Sequence, residues 1–175
     1  MRLLPQPGLA FILRATAATA LLLAVPACQT ARGPRGYEPV IAQFFLETAA
    51  ADPKAAVATL PHSGVGIPFS PRVVFSEGDV VDVELVKVDL GLCLMFVFGP
   101  EAARSLFRVS AANLGRRLIV TLNGRPFGAR EFDAPIHDGR LFIFVELPDD
   151  ELSKTAVNLK HTAADIQAAV ARKRS

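Results

Sequence analysis

Two cysteines, three histidines, one tyrosine and no tryptophan occur among the 175 residues, and each shortage excludes something. So few cysteines cannot build a disulfide framework or a paired-cysteine zinc site. His62, His137 and His161 stand far apart, in neither His-x-x-x-His nor His-x-His spacing. A metal site would need ligands converging from separate elements, so these histidines read as loop and helix-surface residues. Net charge is also scarce. The formal +2 disappears once Arg2 and Arg14 are set aside, leaving 17 side chains of each sign. A nucleic-acid face would require a concentrated basic stripe, and the short Arg172-Lys173-Arg174 cluster reads as a solvated helix end. His62-Ser63-Gly64-Val65-Gly66 lacks the Lys-Ser/Thr ending of a phosphate loop. No cofactor, metal or nucleic-acid partner is expected.

The first 27 residues do carry a pattern. Arg2 and Arg14 are their only charges, and an apolar and small-residue run from Ala15 to Ala27 follows. A basic start, an apolar stretch and a small residue before the cut define an export signal. Val25-Pro26-Ala27-Cys28 resembles a bacterial lipobox, in which the cysteine is lipidated and becomes the mature N-terminus. That resemblance implies a lipid anchor on Cys28, and Gln29 after it implies the outer membrane. Ordinary signal-peptidase cleavage after Ala27, giving a soluble periplasmic protein, is the rival reading. An uncleaved span is the third, although the apolar core after Arg14 falls short of the roughly 20 residues a span needs. Residues 28–37, rich in Gly, Pro and polar side chains, read as a flexible tether. About 140 residues remain from 38 to 175, the size of one domain.

Within that domain Val40–Glu47 reads as a strand, with a short helix as the alternative. The proline-punctuated stretch through Pro68 and Pro71 reads as edge strands or connections, since proline cannot donate to a ladder. Val80–Val88 alternates as a half-buried strand, and Leu92–Phe98 is apolar on both faces, as a central strand would be. Cys93, inside that run, reads as a small buried hydrophobe. Gly99-Pro100 opens a helix over 101–114, closed by Gly115. Asn123-Gly124 marks a hairpin, and Leu141–Leu147 reads as a further strand. Asp149 is an N-cap candidate for a last helix carrying Leu152, Ala156, Leu159, Ala163, Ile166 and Val170 on one stripe. That stripe suits packing on a sheet, with a coiled-coil seam as the alternative. The order predicts an α+β fold, a mainly antiparallel sheet with two helices packed on one face.

Several segments resemble, in order, the head of the first periplasmic domain of SecD, a protein-export subunit. They are Phe98-Gly99-Pro100-Glu101-Ala102-Ala103-Arg104, Asn113-Leu114-Gly115-Arg116-Arg117-Leu118, Leu122-Asn123-Gly124-Arg125-Pro126, Ala134-Pro135-Ile136 and Gly139-Arg140. The resemblance covers about half the chain. It implies a SecD head-like fold and a role in handling exported chains at the periplasmic face. The chain differs in having no polytopic membrane part, and in His137-Asp138 and Phe142-Ile143-Phe144.

No catalytic constellation stands out. Asp133, His137 and Asp138 could form an acid–base group, but all are ordinary turn residues and no nucleophile motif accompanies them. The expectation is therefore a non-enzymatic envelope lipoprotein, anchored at Cys28, whose domain binds envelope or exported proteins in export or envelope assembly. The alternative is a periplasmic carrier of a small hydrophobic ligand, suggested by the phenylalanine-rich strands.

Overall fold

The structure, a computed structural model, describes residues 36–174. The signal, Cys28 and the tether as far as Arg35 lie outside the described residues. The described elements run β1 (Ala42–Glu47), β2 (Ala56–Thr59), β3 (Gly66–Phe75), β4 (Val80–Val88), β5 (Gly91–Phe98) and α1 (Pro100–Ala112). There follow β6 (Arg117–Leu122), β7 (Arg125–Glu131), β8 (Arg140–Ile143) and α2 (Asp149–Arg174). A 3-10 turn, Glu77–Asp79, joins β3 to β4. The class is α+β, as the sequence predicts. The strands divide between two antiparallel sheets, one ordered β2-β3-β1-β6-β7 and one ordered β4-β5-β8.

The doubly apolar β5 lies between β4 and β8, the place its composition calls for. Leu94, Phe96 and Phe98 turn inward beside Leu85, Val83 and Val80 of β4 and Ile143 and Leu141 of β8. From the five-stranded sheet, Phe44 and Phe75 meet them. The Phe44 ring lies 5.1 Å from Phe96, 5.5 Å from Phe98 and 6.5 Å from Phe75, and Phe75 lies 5.1 Å from Phe98. Such tilted and edge-on pairs add about 0.5–1.5 kcal/mol each beyond area burial. The four rings thus join the two sheets into one core.

Leu152, Ala156, Leu159 and Ala163 of α2 are buried in that core against β4, so the stripe serves sheet packing. Gln167 donates to the carbonyls of Gly78 and Val80, and Thr162 Oγ1 accepts from the Val40 N–H, which fixes the helix along the sheet. The Leu152 N–H bonds to the Pro148 carbonyl, making Pro148 the cap and Asp149 the first helical residue, so the helix begins one position earlier than expected.

Two sequence expectations need correction. The segment bearing Pro68 and Pro71 is β3, an interior strand of its sheet. Pro68 still serves the ladder through its carbonyl, which accepts from the Thr48 N–H, and register shifts between β1 and β3 accommodate the bend. β8 ends at Ile143 rather than Leu147, because the chain then crosses to bridge Gly128 of β7 at Val145. A Cβ on Gly128 would lie 2.3 Å from the Phe144 carbonyl oxygen, so only glycine allows that approach.

Behind the five-stranded sheet, Ala58 and Ile67 pack with Ile119 and Ala129. The sheet curls so that its β2–β3 hairpin covers the back of β6 and β7. The hairpin tip is held by Glu146, whose Oε2 accepts from the N–H groups of His62 (2.7 Å) and Ser63 (3.0 Å).

Candidate functional site

Residues of β5 that do not face the core face away from it. Cys93 and Met95 lie on that outer side with Val86 and Glu84 of β4 and Phe142 of β8, their register partners. Val88 at the end of β4, Leu90 in the β4–β5 turn and Phe144 just after β8 extend the same apolar surface. Leu90 is 84% exposed, an unusual position for leucine. The segment from Asp133 to Asp138 forms a wall opposite, and the result is a cleft of about 550 Å³.

That wall is fixed from two sides. The Ile136 N–H donates to Ser110 Oγ at 2.9 Å, and Ser110, fully buried on α1, donates in turn to the Phe107 carbonyl. Arg130 of β7 grips both carboxylate oxygens of Asp133, at 2.8 and 2.9 Å. The guanidinium beside it holds the Asp133 carboxyl below the usual carboxylate range. The His137 ring packs 4.6 Å from that of Phe107, and Asp138 accepts from the Arg140 N–H to close the turn into β8.

The cleft therefore has an apolar floor and a rim in which both charge signs are present. Its size falls in the roughly 300–1,000 Å³ range of ligand sites. Asp133 and His137 both line it, yet no hydrogen bond joins them, since Asp133 is engaged by Arg130. Cys93 is completely buried at the floor, and burial pushes its thiol pKa up, so it stays protonated and unreactive at neutral pH. The other histidines lie elsewhere, His62 at the hairpin tip and His161 with its ring 5.0 Å from Tyr37. Among the described residues no group of three His, Cys, Asp or Glu could hold a metal. The geometry suits shape and apolar contact better than proton transfer.

Of the phenylalanines suggested by sequence as a ligand lining, Phe142 and Phe144 do line the cleft, whereas Phe96 and Phe98 belong to the core. Sequence reasoning missed Leu90 and the Ala134–Ile136 wall. A leucine between Asp89 and Gly91 in a turn was the available signal.

No family model and no curated protein sequence matches this chain. Solved structures do. One, of SecDF described as a membrane component that enhances protein export, matches over 73% of this chain with 18% identity and a TM-score of 0.55. Another, of SecDF in a super-membrane-facing form, matches over 71% with 20% identity and the same TM-score of 0.55. This chain spans 64% of the first structure's chain and 19% of the second's. Among the described residues no helix is long and apolar enough to cross a membrane. At this identity the likeness establishes architecture, and in architecture this is a SecD-like α+β domain.

Proposed function

We propose that this chain is an export-related interaction domain of the cell envelope, tethered through a lipid on Cys28, that receives apolar segments of exported or envelope proteins without catalysing a reaction. The observation that carries the reading is the cleft of about 550 Å³ behind β5, floored by Leu90, Phe142 and Phe144, in a fold similar to that of SecDF. Exposed leucine and phenylalanine side chains at the edge of a concave apolar surface are the usual mark of a protein contact. The oppositely charged Arg130–Asp133 pair at the rim gives no preference for a strongly charged partner. The likeness to SecDF and the lipobox-like residues before Cys28 support placing such a contact at the periplasmic face, and Gln29 after Cys28 supports the outer membrane as the anchor site.

The test is photocrosslinking in cells, with a photoreactive residue replacing Leu90, and replacing Val57 as a control. Val57 is 66% exposed but lies on β2, outside the cleft. Polypeptide adducts from position 90 that are absent from position 57 are expected. Adducts only to small apolar molecules would favour the reading as a carrier of a hydrophobic ligand, for which the cleft size also speaks. Equal adducts from both positions would remove the cleft from either role.

A further inference from the structure

We propose that a second cleft, between the β6–β7 hairpin and α2, binds short peptides through both of their charged termini. This cleft, about 380 Å³, is separate from the one behind β5. At its inner side lies Asn158 of α2, only 7% exposed. Its backbone carbonyl accepts from Thr162, but its side-chain amide makes no hydrogen bond among the described residues. The amide is not sealed from solvent but opens onto the cleft, where an entering molecule can reach it. It offers one N–H donor group and one carbonyl acceptor to whatever enters, the same pairing that a peptide group offers in reverse.

Around Asn158 stand two cations, Arg125 and Lys154, and two anions, Glu38 and Glu151. None of the four forms an ion pair within the described residues, although each kind has an opposite charge in the same cleft. A phosphate or a polycation would satisfy one pair and be repelled by the other. A molecule with an ammonium at one end, a carboxylate at the other and an amide between them meets all three features. Arg125 is already oriented, its guanidinium carbon 5.5 Å from the centre of the Phe127 ring. The volume lies in the small-ligand range.

The test is calorimetric titration of the full chain in detergent with trialanine, and with trialanine acetylated and amidated at its ends. Saturable binding of free trialanine is expected, weakened at least tenfold by capping and at least tenfold by Asn158→Leu. The Asn158→Leu variant should melt no lower than the parent, because it replaces an unpartnered amide with an apolar side chain. If that variant does not fold, Arg125→Ala, an exposed position, must weaken binding at least threefold. Absence of binding by free trialanine, or equal affinity for the capped peptide, would overturn the proposal. So would unchanged affinity in the folded variants.

Discussion

Glu47 closes β1 and Arg117 opens β6, and their contact sets the pairing of these strands at one end. The Glu47 carboxylate accepts from the Arg117 N–H at 2.8 Å, from Nε at 2.9 Å and from Nη2 at 2.6 Å, while the Glu47 carbonyl accepts from Arg116. The Arg117 side-chain bonds hold the Glu47 carboxyl below the usual carboxylate range, outweighing the opposing effect of burial. Because the folded value is depressed, the unfolded chain binds more protons at mildly acid pH. The contribution is therefore complete above the ordinary value of about 4.3 and is lost as pH falls through the lowered folded value. Glu47→Gln should reduce stability by about 1–2 kcal/mol at pH 7, the range of a charge-assisted hydrogen bond at a partly exposed site. Urea unfolding at pH 7 and pH 3 should show the gap from the parent narrowing at the lower pH. A gap of the same size at both would assign the loss to packing instead of charge.

The β2–β3 hairpin shows how one side chain can hold an element. Few buried residues secure it, chiefly Ala58 and Ile67, and its tip depends on the two N–H groups that Glu146 accepts. Burial works against the Glu146 charge, yet the bonds from Ser63 and His62 prevail and its pKa is lowered. Glu146→Ala should free the tip, so that limited proteolysis cuts within residues 61–66 sooner than in the parent while the global melting point changes little. Identical cleavage rates would show that Ala58 and Ile67 suffice alone. Elements governed by neighbours in sequence were legible beforehand. Pro100 starts α1, and Asn123-Gly124 turns the β6–β7 hairpin with φ of 49° and 78°. The division into two sheets was not legible, because it rests on Phe44 meeting Phe96 and Phe98, residues more than fifty positions apart. Glu146 was hidden likewise, since its partners lie 83 and 84 residues away. The cleft wall depends on Ser110 reaching Ile136 across 26 residues, and the unpartnered amide of Asn158 leaves no trace in sequence.

For the molecule as a whole, the two cysteines separate the alternatives for its placement. Cys93 is buried and its pKa raised, so it should resist a polar thiol reagent at pH 7 until the chain unfolds. Cys28 has three possible fates, and each leaves a different thiol count. If lipidated, it contributes no thiol, so the native protein should label at none and the denatured protein at one. If the signal is cut by ordinary cleavage or left intact, the denatured protein should label at two. The proposed anchor also predicts membrane release of a Cys28→Ser variant. Each buried methylene of a lipid chain contributes about 0.8 kcal/mol, and one chain gives only marginal attachment, so stable anchoring needs at least two. The domain core lies wholly within residues 40–163. Cys28→Ser should therefore move the protein to the soluble fraction without altering its unfolding midpoint. A denatured count of one, together with that release, supports anchoring at Cys28. A count of two with the variant still in membranes would transfer the attachment to an uncleaved signal or to a protein partner.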